Sequence, residues 1–226
     1  MGLLISVEGV DASGKQTQTE LLYNYLTAKN IPVRRLSFPV YDSESSAAVR
    51  MYLSGALGEH ADDVSAYAAS TLFAADRFLS YRADWKNDYD AGAVILCDRY
   101  VGSNMIHQAC KLPEGERGAF LNWLDDFEYG IYGLPRPDLT VFLDMPPEYA
   151  RILISGRRNK IDSSEVMDIH ERDAAYLAKS YANACAVCEK FGWTRILCAD
   201  GGHIRTVEDI QLLPFMEKTD LRDQWP

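Results

Sequence analysis

The sequence predicts an α/β domain in which a parallel sheet of about five strands is covered by helices on both faces. Short apolar runs alternate with longer helical stretches along the 226 residues, a pattern typical of parallel strands joined by helical crossovers. This length suffices for one well-filled domain. Because no internal repeat or linker divides the chain, residues 1–226 are expected to form a single domain.

The elements can be justified in chain order. The apolar run at 3–8 predicts the first strand, and the amphipathic stretch at 16–29 predicts the helix after it. A second strand (33–38) and a long helical region (65–86) precede a buried strand (93–98), which is followed by helical stretches at 103–109 and 116–128. Pro137-Asp138 introduces a strand (139–144), and Pro147 suits the first turn of a helix ending near 155. A charged segment (156–165), a helix (166–191), a strand (194–198) and a short helix (207–213) complete the order.

The charge balance excludes one class of partner. The chain has 33 acidic and 23 basic residues and a formal net charge of −10, whereas a nucleic-acid-binding surface normally has a basic excess. The longest apolar runs are strand-sized, so no membrane span is expected. An odd number of cysteines, five, argues against a disulfide framework and suits a cytoplasmic protein. An anionic ligand would therefore be held by a few well-placed cations.

A glycine-rich segment lies between the first predicted strand and the first predicted helix. It reads Gly9-x-x-x-x-Gly14-Lys15, the spacing and context of a phosphate-binding loop. The glycines let backbone N–H groups converge on phosphate oxygens, and the lysine adds a positive charge at the helix N-terminus. The sequence therefore predicts a P-loop NTPase fold with ATP bound. The residues expected to contact the triphosphate are Gly9, Val10, Asp11, Ala12, Ser13, Gly14, Lys15, Gln16 and Thr17.

Two residues are candidates for holding Mg²⁺, the expected cofactor, beside that nucleotide. Asp98 ends the buried strand at 93–98, at the edge where parallel strands meet their ligands, and its carboxylate can hold the hydrated ion. Gln16 stands where such loops usually carry Ser or Thr, so either its amide oxygen or a water molecule would reach the metal. Lys15 and Asp98 are thus the expected catalytic residues on the ATP side.

The motifs, taken in order, resemble those of the thymidylate kinases. Residues 8–18 look like the first motif of that family, and Phe38-Pro39 looks like its turn after the second strand. Residues 73–77 match its helix motif, residues 98–103 match its Asp-Arg-Tyr motif, and residues 137–144 fit its fourth strand. Asp162, Glu165 and Tyr176 fall in register with the lid and the helix after it. The resemblance covers about residues 3–200.

This resemblance implies a kinase that transfers a phosphoryl group from ATP to dTMP and forms a homodimer packed through helices. It also implies that Phe73 stacks on thymine and that Arg77 contacts the acceptor. The residues expected to bind the acceptor are Asp11, Phe38, Pro39, Phe73, Arg77, Arg99, Tyr100, Ser103 and Gln108. The chain departs from the family pattern at Gln16, at Val40 (often arginine) and at His107 (often tyrosine).

Physical chemistry supports these acceptor roles. Phosphoryl transfer brings two anions together, so cations have to offset their repulsion. Arg77 and Arg99 suit bidentate recognition of a monophosphate. Phe73 offers a face for a pyrimidine ring, and Gln108 can pair with a base edge. Asp11 suits a hydrogen bond to a sugar hydroxyl or to a neighbouring arginine.

The phosphate loop carries no arginine, so the transition-state charge must be met from elsewhere. The segment 156–160, Gly-Arg-Arg-Asn-Lys, is the most cationic stretch of the chain, and a mobile lid is the usual source of such a charge. Arg158 is the first candidate for this catalytic role and Arg157 the second, with Lys160 in support. Two alternatives remain: a kinase for another nucleoside monophosphate or a deoxynucleoside, and a nucleotide-dependent switch without turnover.

Overall fold

The computed structural model describes residues 1–154 and 174–212, with a parallel sheet at the centre. Its strands are β1 (Leu3–Glu8), β2 (Val33–Ser37), β3 (Val94–Asp98), β4 (Leu139–Asp144) and β5 (Thr194–Leu197). They lie in the order β2-β3-β1-β4-β5, and all neighbouring pairs are parallel. The predicted sheet is confirmed, and each strand end lies within one residue of its predicted position.

Helices connect the strands. The described residues form α1 (Lys15–Ala28), α2 (Ala47–Leu53), α3 (Ala66–Ser80), α4 (Lys86–Asp90), α5 (Val101–His107), α6 (Glu114–Asp125), α7 (Pro147–Ile154) and α8 (Ala174–Phe191). The π-helical segment Tyr81–Trp85 joins α3 to α4, and a second one, Asp126–Ile131, lengthens α6. After β5, the strands β6 (Ala199–Asp200) and β7 (His203–Ile204) form an antiparallel ribbon.

The sheet separates two apolar clusters. Along β1, Leu4 belongs to one cluster, whereas Leu3 and Ile5 belong to the other. Successive side chains of a strand point to opposite faces, so a strand covered on both faces is apolar throughout. Phe120 of α6 packs in the first cluster and Leu22 of α1 in the second. Helices therefore cover both faces, as predicted.

Two helix predictions differ from the structure. The region 65–86 is not one regular α-helix, because the π-helical segment interrupts it. The helix expected at 207–213 is wrong for the residues described there, which form a turn. Thr206 and Asp209 close this turn, since the Thr206 hydroxyl donates to Asp209 Oδ2 at 2.8 Å and accepts from the Asp209 N–H at 3.2 Å. Helix α2 was not predicted.

Several expectations fall outside the described residues. The lid at 156–165 lies there, with Arg157, Arg158, Lys160, Asp162 and Glu165. The division of the chain into one domain remains a prediction. Among the helices of residues 1–154 and 174–212, none combines the length and apolar character needed to cross a membrane.

Candidate active site

The phosphate loop emerges at the carboxyl edge of the sheet. In the parallel pairing of β1 with β3, Val7 lies opposite Asp98, so the segments that follow these strands leave the sheet side by side. Gly9 has φ +154°, and a Cβ there would lie 2.6 Å from Ser13 Oγ and 2.8 Å from the Leu143 carbonyl oxygen. Only glycine fits this close approach, which accounts for the first position of the motif.

Lys15 opens α1 and is almost fully buried. Its ammonium group donates to the carbonyl oxygens of Val10 (2.8 Å) and Gly9 (3.1 Å) and to Ser13 Oγ (3.3 Å). The lysine charge is thus held at the centre of the loop, where β- and γ-phosphate oxygens would bind.

An open cleft of about 1030 Å³, here called the phosphate-loop cleft, runs along this loop. Seven of the nine residues predicted to contact ATP line it: Asp11, Ala12, Ser13, Gly14, Lys15, Gln16 and Thr17. Gly9 and Val10 do not line it. A second wall comes from the end of β7 and the turn after it and includes Ile204, Arg205, Val207 and Ile210.

Gln18 was not predicted as a site residue, yet it ties the two walls of this cleft together. It is buried and lines the cleft, and its Nε2 donates to the Val207 carbonyl at 2.9 Å. Its Oε1 makes no hydrogen bond within the described part of the chain. The signal available in the sequence was its position as the last residue of the quoted first motif, 8–18.

A second cavity of about 540 Å³, here called the Phe73 cavity, adjoins the first. Eight of the nine residues predicted to bind the acceptor line it: Asp11, Phe38, Pro39, Phe73, Arg77, Arg99, Ser103 and Gln108. Five residues without a predicted acceptor role also line it: Tyr41, Leu53, Asp76, Asn104 and His107. Asp76 and Asn104 lie within or beside the quoted motifs, whereas Tyr41 and Leu53 had no local signal.

Asp11 and Arg99 join the two cavities. Each residue lines both, and Arg99 Nη2 donates to Asp11 Oδ1 at 2.5 Å. Arg99 Nη1 lies 3.1 Å from His107 Nε2. Burial alone would lower the pKa of Arg99, but the carboxylates of Asp11, Asp98 and Glu8 outweigh it and raise that pKa. A guanidinium therefore stands charged at the junction, where two anions could meet.

Arg77 has a different environment from the one expected. Its guanidinium is buried and makes two parallel bonds of 2.6 Å to the carboxylate of Glu128, through Nε and Nη2. Nη1 lies 3.4 Å from the Tyr100 carbonyl, and Asn104 Nδ2 donates to Glu128 Oε1 at 3.0 Å. Glu128 occupies the Nε–Nη2 edge of Arg77, so a monophosphate could be gripped only at the other edge, by Nη1 and the second Nη2 proton. The acceptor contact of Arg77 stays a prediction.

Tyr100, which was also expected to bind the acceptor, lies outside the Phe73 cavity. Its ring is fully buried in the core, its hydroxyl donates to the Pro135 carbonyl at 3.1 Å, and it does not line the Phe73 cavity. The chain turns at Arg99, where φ is +69°, and the side chain of Tyr100 lies in the core while that of Arg99 lines the cavities. Tyr100 therefore contributes to the site by packing in the core next to Arg99, whose side chain lines the cavities.

Glu8 anchors this turn from beneath. The carboxylate accepts the Tyr100 N–H (2.8 Å) and the Ser103 hydroxyl (2.6 Å). Burial raises the pKa of Glu8, although the bond from Ser103 opposes this. A Cβ on Gly102 would lie 2.9 Å from the Glu8 carboxylate, so the helix can approach Glu8 only with glycine there. Ser103 lines the Phe73 cavity, but its proton is directed to Glu8.

The residues around the phosphate loop fit a magnesium ion whose remaining ligands come from water and a bound nucleotide. Asp98 is buried and Gln16 exposed, and both line the phosphate-loop cleft. Within residues 1–154 and 174–212, no group of three or more His, Cys, Asp or Glu side chains could hold a metal by itself. Mg²⁺ usually keeps several waters and binds one or two carboxylates together with phosphate oxygens, which agrees with this sparse protein ligand set.

Comparisons with known proteins agree with this arrangement. A family model described as thymidylate kinase matches residues 7–196. The thymidylate kinase of Mycobacterium tuberculosis H37Rv is 37% identical over 175 residues, which are 76% of this chain and 79% of that protein. A probable thymidylate kinase of Thermococcus onnurineus is 29% identical over 210 residues, which are 92% of this chain and 93% of that protein.

A solved structure of thymidylate kinase from Candida albicans has the same fold. It superposes with a TM-score of 0.69 at 24% identity and covers 96% of this chain and 91% of its own. The family match spans both the phosphate loop and the residues of the Phe73 cavity. The chain belongs to the thymidylate kinase family.

Proposed function

We propose that this protein transfers the γ-phosphoryl group of ATP to dTMP, giving ADP and dTDP. The observation that carries the proposal is the junction at Asp11 and Arg99, where the phosphate-loop cleft meets the Phe73 cavity. A donor in the first cavity and an acceptor in the second would have their phosphates beside one guanidinium.

The donor would be held by the phosphate loop. Lys15 and the loop amides would hold the β- and γ-phosphates, with Thr17 and Gln16 at the start of α1 beside them. Bound Mg²⁺ would neutralise charge on those phosphates, and Asp98 and Gln16 would hold it together with water. No side chain need act as a strong base, because the attacking oxygen of a monophosphate is already anionic. Catalysis would rest on positioning and electrostatics.

The pyrimidine ring of the acceptor would lie against Phe73. The Phe73 ring lines the cavity and packs edge-to-face on Tyr52, with ring centroids 6.0 Å apart. Gln108 lines the same cavity and is buried, and its Oε1 makes no hydrogen bond among the described residues. A buried, unpaired acceptor is costly, and it suits the ring N–H of a pyrimidine such as thymine. Asp11 remains a candidate for the sugar hydroxyl.

The charge that develops on the migrating phosphoryl group needs a further cation. We assign this role to Arg158, or to Arg157, with Lys160 in support. These residues lie outside the described part of the chain, and the proposal rests on the absence of an arginine from the loop at residues 9–15.

Replacing Arg99 by alanine should raise the acceptor KM by about thirtyfold or more, because a desolvated, charge-assisted contact to the phosphate is lost. The KM for ATP should change less. The acceptor KM of Arg99→Lys should lie between those of the wild type and Arg99→Ala, since the charge stays and the planar fork is lost. Steady-state kinetics with each substrate varied in turn would measure this.

The matched control for Arg99 is Arg34→Ala, which removes an arginine from an exposed ion pair with Asp84 and should leave both KM values unchanged. An acceptor KM that stays within twofold of the wild type in Arg99→Ala would contradict the assignment.

An acceptor screen tests the function itself. ADP formation would be followed with dTMP, dUMP, UMP, CMP and thymidine, each with Mg²⁺ and with the metal removed by a chelator. dTMP is expected to be the best acceptor, and activity should require Mg²⁺. A better acceptor among the others would replace the substrate assignment. Hydrolysis of ATP that does not depend on an acceptor, or ATP binding without transfer, would overturn the kinase proposal.

We also propose that the protein forms a homodimer through α3 and the region of α6. Tyr67, Leu79 and Ile131 on these elements are 40%, 48% and 70% exposed, and Tyr67 packs on Trp123 with ring centroids 4.7 Å apart. The apolar residues would be buried against a second copy, as the family resemblance implies. Sedimentation equilibrium tests this, and a monomer at all concentrations would refute it.

We also propose that the protein is cytoplasmic and has no nucleic-acid or membrane partner. The five cysteines suit a cytoplasmic protein, and the net charge of −10 argues against a nucleic-acid partner.

A further inference from the structure

We infer that Lys111 is a positioning residue that holds the two walls of the Phe73 cavity at the separation the acceptor's ring requires. The inference rests on the proposed function, because it assigns the cavity to the base of the acceptor. Lys111 does not line the cavity, so it would act through other residues.

Lys111 connects two segments that are far apart in the sequence. It is the last residue of the 3₁₀ turn Ala109–Lys111, which follows α5. Its Nζ donates to the Tyr52 hydroxyl at 2.8 Å and to the Val64 carbonyl at 3.1 Å. Tyr52 belongs to α2, and Val64 precedes α3. A single ammonium group therefore bridges α2, the entry to α3 and the end of the α5 segment.

On one side of this bridge is the wall that carries Phe73. Tyr52 is 1% exposed, its hydroxyl donates to the Ala61 carbonyl at 3.3 Å, and its ring packs edge-to-face on Phe73. Shifting the hydroxyl end of Tyr52 would therefore shift the surface on which Phe73 rests.

On the other side is the wall formed by His107 and Gln108. The Lys111 N–H donates to the Gln108 carbonyl at 3.2 Å, and the Tyr176 hydroxyl donates to the His107 carbonyl at 2.7 Å. The backbone that carries Lys111 is thus continuous with the wall formed by His107 and Gln108. Loss of the bridge should let these walls separate while the phosphate-loop cleft keeps its shape.

The chemistry of the bridge suits a directional role better than a space-filling one. Burial lowers the pKa of Lys111 to about 8, against the opposing effect of Asp62. A methionine would fill a similar volume without this penalty, so an apolar side chain would satisfy packing alone. Two hydrogen bonds from a charged donor fix a geometry that an apolar side chain does not.

The test compares Lys111→Met and Lys111→Arg with Lys86→Met, which removes a partly exposed lysine that lies over the ring of Tyr81. In Lys111→Met the KM and Kd for dTMP should rise about fivefold or more, as for loss of a buried charged hydrogen bond. The kcat and the KM for ATP should stay within about twofold. Lys111→Arg should restore most of the acceptor affinity, and Lys86→Met should match the wild type.

A double-mutant cycle with Tyr52→Phe identifies the route. If Lys111 acts through the Tyr52 hydroxyl, Lys111→Met/Tyr52→Phe should be no weaker in dTMP binding than the worse single variant. Effects that multiply would overturn the route through Tyr52. If Lys111→Met fails to fold, Tyr52→Phe by itself must raise the acceptor KM without changing the KM for ATP, or the inference fails.

The pH dependence supplies a further readout. The groups that face Lys111 are Tyr52 from α2, Asp62 from the turn before α3, Cys110 beside it, and Tyr176 from α8 near Cys110. Burial raises the pKa of Cys110 to about 11. The phosphate of the acceptor has a second pKa of about 6. Between about pH 7 and pH 9 the acceptor KM of the wild type should therefore rise as Lys111 loses its proton. In Lys111→Arg it should stay flat.

Two outcomes would overturn the inference. One is an unchanged acceptor KM in a folded Lys111→Met. The other is a loss spread equally over kcat and both KM values, which would indicate a general structural role. Failure of the wild type to phosphorylate dTMP would refute the proposed function instead, and acceptor Kd values measured by calorimetry would still decide the role of Lys111.

Discussion

Replacing Lys15 by methionine should lower kcat for phosphoryl transfer by about a thousandfold or more, because a buried charge aimed at the transferring phosphates is lost. Lys15 is 5% exposed, so water cannot substitute for its ammonium group. The acceptor KM should remain close to that of the wild type, since the residue does not line the Phe73 cavity. Steady-state rates, measured as ADP formation with each substrate varied in turn, give kcat and the acceptor KM.

Loss of loop geometry has to be separated from loss of charge in this variant, because Lys15 also bonds to the carbonyls of Gly9 and Val10. Lys29→Met is the matched control, since it removes an exposed lysine at the other end of the same helix. Lys15→Arg retains the charge with a different shape, and it should recover little activity if placement matters. A kcat within tenfold of the wild type in Lys15→Met would contradict the role given to this loop.

Replacing Glu128 by alanine should reduce the free energy of unfolding by about 3–5 kcal/mol, because the guanidinium of Arg77 would be left buried without a partner. Burial alone lowers the pKa of Arg77, but the charge and hydrogen bonds of Glu128, together with Tyr100 and Glu8, outweigh it and raise that pKa. Asn104 would lose its carboxylate acceptor as well. Urea denaturation followed by circular dichroism measures the change as a shift of midpoint at constant slope.

The buried pair has an exposed counterpart in the same protein. Arg136 makes two bonds of 2.6 and 2.7 Å to Asp125 at the surface, and Asp125→Ala should cost only about 0–1 kcal/mol because solvent screens the charges. The double variant Arg77→Met/Glu128→Leu should recover most of the stability lost in Glu128→Ala. Equal losses in Glu128→Ala and Asp125→Ala would show that burial is not the decisive factor.

The sheet and the phosphate loop could be predicted from the sequence because their signals are local. β1 and β3 are buried on both faces and therefore read as apolar runs. The loop has its glycines at fixed spacing because a Cβ on Gly9 would lie within 3 Å of Ser13 Oγ and the Leu143 carbonyl oxygen, and because Gly14 has a φ of +90°. Both patterns are complete within a few residues, so a single sequence suffices to find them.

The parts that were missed depend on contacts between distant segments. The partner of Arg77 lies 51 residues away on the π-helical extension of α6, and no periodicity in the sequence links the two. Tyr100 follows a predicted ligand-binding residue directly, yet it lies in the core because the chain turns at the left-handed backbone of Arg99. The interruption of α3 by a π-helical segment and the turn after β7 likewise depend on packing.

Because Asp11 and Arg99 line both cavities, an anion that enters either one meets a guanidinium already bound to a carboxylate. It must either share that guanidinium or draw it from Asp11, and the second ligand then finds the pair rearranged. We therefore expect the binding of donor and acceptor to be thermodynamically linked through this ion pair. The factor by which a non-hydrolysable ATP analogue changes the affinity for dTMP must equal the factor by which dTMP changes the affinity for the analogue.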